Sequence, residues 1–144
     1  MQISNRFTMA LHILACVETF KDQKMTSDFL AASINTNPVV VRRILSMLQK
    51  ADIVKVSRGT GGVMLTRQPS AITFYDVYKA VAKLKDEGLF HRHEDTNPDC
   101  PVGRNINDVL NDKLTNVQKA MEDSLKHYTL TDVIEDLDCR LKGE

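Results

Sequence analysis

The fold is decided by residues 27–50, which read SDFLAASINTNPVVVRRILSMLQK. Apolar residues recur at three- and four-residue spacing on both sides of the polar segment 35–38, as in two short amphipathic helices. Thr26 or Ser27 can cap the first helix, and Pro38 suits the first turn of the second, where its missing N–H costs nothing. The second helix has an apolar stripe of Val41, Ile44, Leu45 and Leu48. Two helices joined by a tight polar turn predict a helix-turn-helix.

A glycine-rich turn follows the two helices. Residues 53–66 read IVKVSRGTGGVMLT, in which apolar residues flank three glycines within four positions. Glycine adopts backbone angles that other residues avoid, and the tip of a β-hairpin requires such angles. We therefore predict strands over 53–56 and 63–66 with a wing between them. The predicted fold class is mostly α with a small β wing, a winged helix-turn-helix domain plus a long C-terminal dimerisation helix.

Further helices are predicted on either side of this segment. Apolar spacing predicts a helix over 4–20 with Ser4 as its N-cap. Thr73 and Asp76 have the spacing of a capping box, at the start of a helix that we predict through Lys83.

The C-terminal part combines an irregular stretch with a long helix. Residues 84–103 contain two glycines and two prolines and break the helical spacing, so they predict a loop. Residues 104–128 carry one apolar stripe, and a helix of this length projects beyond a small domain and favours dimerisation. Thr129 and Asp132 form a second capping-box pair before a short last helix, predicted to Leu137.

Composition limits the class of protein. The chain has 144 residues, of which 42% are hydrophobic and 26% charged, which is ordinary for a globular domain. No apolar run approaches the ~20 residues of a membrane span, and residues 1–6 do not resemble a signal peptide. Three widely spaced cysteines without a CxxC pair fit reduced thiols. We expect a cytoplasmic protein with no membrane partner.

The zero formal net charge hides an asymmetry between the two halves of the chain. Residues 1–69 hold nine Lys and Arg against four Asp and Glu, a net charge of +5, and residues 70–144 hold ten against fifteen, a net charge of −5. A basic half joined to an acidic half indicates that one part meets a polyanion, although uneven surface charge alone also explains it.

The second helix of the helix-turn-helix is the candidate for reading double-stranded DNA in the major groove. Its arginines can bond guanine, and its valines can touch thymine methyl groups; the alternative for Arg42 and Arg43 is contact with solvent or phosphate. Arg58 at the wing can enter the minor groove, and its alternative is a surface position on a turn. The predicted DNA-binding residues are Ser4, Arg6, Asn37, Val39, Val40, Arg42, Arg43, Arg58, Gly59, Gly61 and Gly62. The predicted domains are a winged helix-turn-helix DNA-binding domain at 1–83, a loop open to a sensor role at 84–103, and a dimerisation helix with a C-terminal helix at 104–144.

The sequence resembles a known family in four stretches. These are Ser4 to Phe7, the helix from Asn37 to Leu48, the wing from Ile53 to Gly62, and the segment from Thr129 to Asp132. They are similar to the Rrf-two family of winged-helix repressors, which includes IscR, NsrR and CymR, and especially to its YwnA-like members. The resemblance implies a homodimer built on the long helix, a palindromic operator, and a minor-groove role for Arg58.

The predicted loop holds the candidate sensor. Several family members carry three cysteines there for an iron–sulfur cluster, whereas this chain has only Cys100, with His91 and His93 nearby. We therefore expect no cofactor and no metal. Pro101 suits a helix start, so Cys100 is placed near a helix N-terminus, which lowers a thiol pKa and makes it a redox candidate, although Asp99 opposes this shift. Cys16, among apolar neighbours, is expected to be a packed core thiol.

Two alternatives to an operator-binding repressor remain open. One is a metal- or cluster-sensing regulator of the same family, and the other is a winged-helix protein-interaction module without DNA binding. An enzyme is not expected, because no nucleophilic motif is present and the three-glycine turn lies between strands rather than before a helix.

Overall fold

The computed structural model describes residues 5–57, 62–82, 90 and 92–143. These residues form six α-helices and one two-stranded antiparallel sheet, and the predicted fold class is confirmed. In chain order the elements are α1 (Arg6–Thr19), α2 (Ser27–Ile34), α3 (Pro38–Lys50), β1 (Val54–Ser57), β2 (Gly62–Leu65), a short 3-10 helix (Pro69–Ala71), α4 (Phe74–Val81), α5 (Pro101–Leu125) and α6 (Leu130–Lys142).

The core is formed by one face of each helix in the N-terminal half together with the base of the sheet. Fully buried side chains include Ile13 and Leu14 of α1, Leu30 of α2 and Ile44 and Leu48 of α3. Burying a side chain of this size stabilises the fold by roughly 1.5–3 kcal/mol. This shared core fixes the orientation of α3, because its buried stripe leaves only the opposite face for solvent.

Two of the predicted N-caps, Thr26 and Thr73, are found at the starts of α2 and α4. The Thr26 hydroxyl accepts the Phe29 N–H at 3.1 Å, so Thr26 caps α2. The Thr73 hydroxyl accepts the Asp76 N–H, and the Asp76 carboxylate accepts the Thr73 N–H, both at 3.0 Å. The predicted Ser4 cap lies outside the described residues, and α1 begins at Arg6.

The long helix begins earlier than predicted. Pro101 fits the first position of α5 because the lost N–H has no partner there. Gly103 was predicted to lie in the loop, but it falls in the first turn of α5, where a Cβ would lie 2.6 Å from the Asn97 carbonyl oxygen. Glycine at this position therefore allows the preceding chain to pack on the helix, and α5 ends at Leu125 rather than at 128.

The last helix also extends further than predicted. It continues from Leu130 to Lys142 instead of ending at Leu137. The positive charges of Arg140 and Lys142 in its last turn stabilise the helix because they lie near the negative end of its dipole. Leu130 is buried, and Val133 and Ile134 pack against the core, so α6 lies on α1 and the 3-10 helix. The C-terminal helix therefore packs on the N-terminal half, while the division into domains stays a prediction.

Candidate nucleic-acid interface

The turn between α2 and α3 is held by its own side chains. Asn35 has a left-handed backbone (φ 63°) and ends α2 with its N–H directed at Ala31 and Ala32 carbonyls. Asparagine tolerates this conformation better than most residues. The Asn37 side-chain oxygen then accepts the Val39 N–H at 2.8 Å and caps α3. These bonds start α3 within three residues of α2 and set the angle at which its outer face is presented.

The outer face of α3 carries the predicted reading residues. Val39 is 47% exposed, and Arg42 and Arg43 are exposed beside it, three and four residues further along the helix. Ser46 and Lys50 continue the same exposed face at the next helical spacings. The two were not among the predicted site residues, although their spacing from Arg42 and Arg43 was visible in the sequence.

The arginines of the N-terminal half have different surroundings. In the described part of the chain, Arg42 and Arg43 take part in no ion pair, so their guanidinium groups remain available to an anion. Arg67 instead pairs with Asp76 at 3.3 Å and donates to the carbonyls of Ala51, Asp52 and Ala71. These bonds connect the end of α3 to the start of α4, so the Arg67 side chain stabilises the fold.

The remaining predicted site residues differ in how far they are exposed to a ligand. Asn37 is exposed, although its side-chain oxygen is engaged in the cap. Val40 is half-buried against the core, which leaves less of its surface for a ligand. Arg6 is half-buried at the start of α1. Ser4, Arg58, Gly59 and Gly61 lie outside the described residues, and their roles stay predictions.

Gly62 sets the base of the wing. It has φ +73°, and a Cβ there would lie 3.1 Å from the Met25 carbonyl oxygen and from the Lys24 Cγ. The next residue, Val63, donates its N–H to the same Met25 oxygen at 3.2 Å. The hairpin therefore starts its return strand pressed against the residues before α2, which couples the wing to the helix-turn-helix. On the outer surface Lys55 is paired with Met64, and both are exposed.

The three cysteines do not come together. Cys16 is buried in α1, Cys100 is exposed directly before α5, and Cys139 is exposed on α6. Within residues 5–57, 62–82, 90 and 92–143, no three His, Cys, Asp or Glu side chains are placed to hold a metal ion. The residues present therefore do not fit a cluster held by three thiolates; His91 of the predicted loop lies outside the described residues.

Cys100 occupies the N-cap position of α5 and is exposed to solvent. The backbone N–H of Gly103, and then that of Val102, lower the pKa of the Cys100 thiol below its ordinary value. These groups belong to the first turn of the helix, where N–H groups without helical partners stabilise a negative charge. The direction agrees with the prediction from the helix start.

Within the residues that the structure describes, one side of α5 has no partner. None of its described side chains is buried, and it contacts α4 and the segment before its own first turn. Val102, Val109 and Val117 are more than half exposed on it. A helix of 25 residues, about 37 Å long, therefore presents apolar surface to solvent.

No described helix is long and apolar enough to cross a membrane.

A basic, outward-facing α3 preceded by a capped turn and followed by a hairpin defines the winged helix-turn-helix class of proteins. Comparison with known families agrees, since residues 3–136 match the Rrf2 family, described as iron-dependent transcriptional regulators. The chain belongs to the Rrf2 family, and the resemblance found in its sequence is confirmed.

Individual relatives extend this assignment. The chain is 44% identical over 135 residues to YwnA of Bacillus subtilis (strain 168), named as an HTH-type transcriptional regulator, covering 94% of this chain and 98% of that protein. A crystal structure described as that of a DNA-binding protein superposes with a TM-score of 0.72 at 38% identity, over 90% of this chain and 98% of the other. CymR of B. subtilis, the global cysteine regulator, shares the fold at a TM-score of 0.68 and 21% identity, over 94% and 97% of the two chains.

Proposed function

We propose that this chain is a sequence-specific DNA-binding repressor of transcription that acts as a homodimer on a palindromic operator. The observation that carries the proposal is the exposed face of α3, where Arg42 and Arg43 stand beside Val39 with no ion pair in the described part of the chain. Family membership supports a regulator rather than an enzyme. Such a regulator works in the cytoplasm, where bacterial DNA lies.

In this proposal the outer face of α3 enters the major groove. Arg42 and Arg43 are long enough to bond guanine edges, each bidentate contact being worth about 1–3 kcal/mol of discrimination. Val39 is exposed enough to meet a thymine methyl group. Ser46 and Lys50 lie further along the same face and are assigned to base or phosphate contacts. The wing, with Arg58, Gly59, Gly61 and Gly62, is assigned to the neighbouring minor groove.

The homodimer is proposed from the surface of α5. Apolar side chains along one side of a long helix lose contact with water when a second copy covers them, and this burial drives association. A two-fold axis through paired α5 helices would place two copies of α3 in an inverted relation. Helix-turn-helix dimers of this kind bind half-sites about 34 Å apart, or one helical turn of DNA. The operator is therefore expected to be palindromic.

Cys100 is proposed as a thiol that responds to oxidation. Its position is solvent-exposed, and the lowered pKa increases the thiolate fraction at neutral pH. Thiolates rather than thiols are oxidised to sulfenic acid, so exposed thiols of low pKa are the susceptible ones. Because Cys100 lies directly before α5, oxidation there would alter the start of the proposed dimerisation helix.

Selection of bound DNA from a random pool tests the proposal. We expect enrichment of an inverted repeat, and an affinity for it that falls by roughly a thousandfold between 50 and 200 mM salt if six or more phosphates are contacted. Repeating the selection after treatment with peroxide tests the role of Cys100, with Cys100→Ser as the control. A pool without enrichment, together with weak binding that does not depend on salt, would favour the protein-interaction module instead.

A further inference from the structure

A groove runs along the polar side of α5, and we call it the α5 groove. Its volume is about 890 Å³, within the range of ligand-binding clefts. Its lining on α5 extends from Asn107 to Lys126, a distance of about 28 Å at the helical rise, so the groove is long. Asn111 lies two residues from Val109, or about 200° around the helix axis. A second copy that covers Val109 on the apolar side of α5 would therefore leave the α5 groove open.

The other described wall of the α5 groove is the segment before α5. It contributes Phe90, Arg92, His93 and Glu94 to the lining. Hydrogen bonds attach this segment to the helix. Asn107 donates its side-chain N–H to the His93 carbonyl at 3.2 Å. Arg104 donates to the Pro98 carbonyl at 3.3 Å. The two walls are therefore held in position relative to each other by the fold.

The α5 wall carries a row of uncharged polar side chains. The row consists of Asn107, Asn111, Thr115 and Gln118. Successive members are four, four and three residues apart, so they share one side of the helix. The three amide side chains are half-buried although they are polar. In the described part of the chain, neither Asn111 nor Thr115 makes a side-chain hydrogen bond. The middle of the row therefore offers donors and acceptors to a ligand.

The charges in the described lining of the α5 groove balance. The basic side chains are Arg92, Lys119 and Lys126, and the acidic ones are Glu94, Glu122 and Asp123. Two of these charges already have a partner each other, since Lys126 pairs with Asp123 at 3.7 Å. A ligand with charges of one sign, such as a strand of nucleic acid or a polyamine, gains no net attraction from such a lining. The charge balance favours a polar ligand without strong net charge.

The spacing of the polar row matches the repeat of an extended polypeptide chain. Neighbouring members of the row are about 4.5–6 Å apart along the helix axis. The N–H and C=O groups on one side of an extended chain recur every two residues, or about every 6.6 Å. Two or three successive side chains of the row can therefore bond one peptide. Asparagine and glutamine suit this role because a side-chain amide, like the peptide backbone, carries both a donor and an acceptor.

We propose that the α5 groove binds an extended, polar segment of a partner protein, about eight residues long and without strong net charge. Asn107, Asn111 and Gln118 bond the backbone of this segment, which supplies affinity. Phe90 and Arg92 on the opposite wall contact its side chains, which supplies selectivity. The groove shares no residue with the exposed face of α3, so this site does not depend on the proposed DNA binding.

Selection from a display library of random peptides tests the site on the full-length protein. The peptides have about ten residues, slightly more than the groove holds. We expect enrichment of peptides without strong net charge, and one of them is then synthesised for fluorescence anisotropy. Asn111→Ala should weaken its binding by about 2- to 12-fold, the range for one lost hydrogen bond. Asn116→Ala is the matched control, since Asn116 is exposed on α5 outside the groove lining. Equal affinities of the two variants, or a library without such enrichment, would overturn the proposal.

Methylation of single backbone nitrogens in the selected peptide tests how it is bound. In an extended chain the N–H groups of alternate residues point to the same side. Methylation is expected to weaken binding by about 2- to 12-fold at alternate positions and to leave the positions between them unaffected. Equal effects at all positions would overturn the extended mode of binding. Peptide affinity that falls with rising protein concentration would show that a second copy covers the groove, which also overturns the proposal. Arg42→Ala should leave peptide affinity unchanged, so that failure of the proposed DNA binding is distinguishable from failure of this site.

Discussion

Thr73 and Thr129 face each other across an isolated antiparallel β-bridge, and each stands directly before a helix. Phe74 donates its N–H to the Tyr128 carbonyl, and Leu130 donates to the Ile72 carbonyl, both at 2.9 Å. Two helix starts that are 56 residues apart in sequence are thereby held together. The bridge fixes where α5 ends and where α6 turns back onto the core, although no local sequence signal marks the pairing.

The capping carboxylates on the two sides of this bridge are expected to contribute unequally to stability. Asp76 accepts the Thr73 N–H and also pairs with Arg67, whereas Asp132 accepts the Thr129 N–H at 2.8 Å. We expect Asp76→Ala to lower the free energy of unfolding by about 1–2 kcal/mol and Asp132→Ala by about 1 kcal/mol. Urea denaturation measures both, with Asp136→Ala, an exposed change on α6, as the control. Equal values for all three variants would contradict this account.

Gly62 is expected to resist substitution. Its left-handed backbone disfavours any side chain, and a Cβ would press on the Met25 carbonyl oxygen. Gly62→Ala should lower the free energy of unfolding by about 1–2 kcal/mol. Gly143→Ala is the matched control, since Gly143 has φ −82° and a Cβ there would meet no atom closer than 3.5 Å. A Gly62→Ala protein as stable as the control would show that the base of the wing tolerates a side chain.

Arg42 and Arg43 are expected to contribute to specific binding of the selected operator. Removing a bidentate base contact by Arg42→Ala or Arg43→Ala should weaken operator binding by about 5- to 150-fold. Fluorescence anisotropy on operator and on unrelated DNA separates two roles, because loss of a phosphate contact weakens both equally. Arg140→Ala on α6 is the control with the same change of charge. If both variants bind the operator as tightly as the control does, α3 does not contact the operator bases through these arginines.

The apolar side of α5 is expected to hold the dimer. Val117 is 54% exposed, and a glutamate there would place an unpaired charge in the proposed interface. Val117→Glu should raise the dimer dissociation constant by at least about tenfold, measured by sedimentation. Thr115→Glu introduces the same charge two residues earlier, on the other side of the helix, and should leave the dimer intact. Dissociation in both variants, or in neither, would argue against this face.

Cys100 is expected to react at lower pH than an ordinary thiol. The N–H groups of Gly103 and Val102 lower its pKa, so the thiolate is already present at pH values where a free cysteine is protonated. The rate of alkylation by iodoacetamide, followed at Cys100 by peptide mapping, should therefore reach half of its maximum at a lower pH than for N-acetylcysteine. A midpoint at the same or higher pH would refute the role of the helix start.

The sequence by itself determined the local structure around the candidate interface. Helical spacing of apolar residues, the Thr26 and Thr73 caps, and a run of glycines between two strands are short-range signals, so the helix-turn-helix and the wing were predictable. The exposed face of α3 followed from the same spacing, since a helix that buries Val41 and Leu48 must present Arg42 and Arg43 outward.

Only the tertiary structure decided which residues from distant elements meet. It placed Arg67 on Asp76, Gly62 against Met25, and Thr73 opposite Thr129, none of which is set by neighbours in sequence. It also placed Cys16 in the core, as its apolar neighbours predict, with its Sγ 3.4 Å from the Ser33 Oγ of α2. Such contacts depend on how helices pack across the core, and packing is a property of the whole chain rather than of any segment.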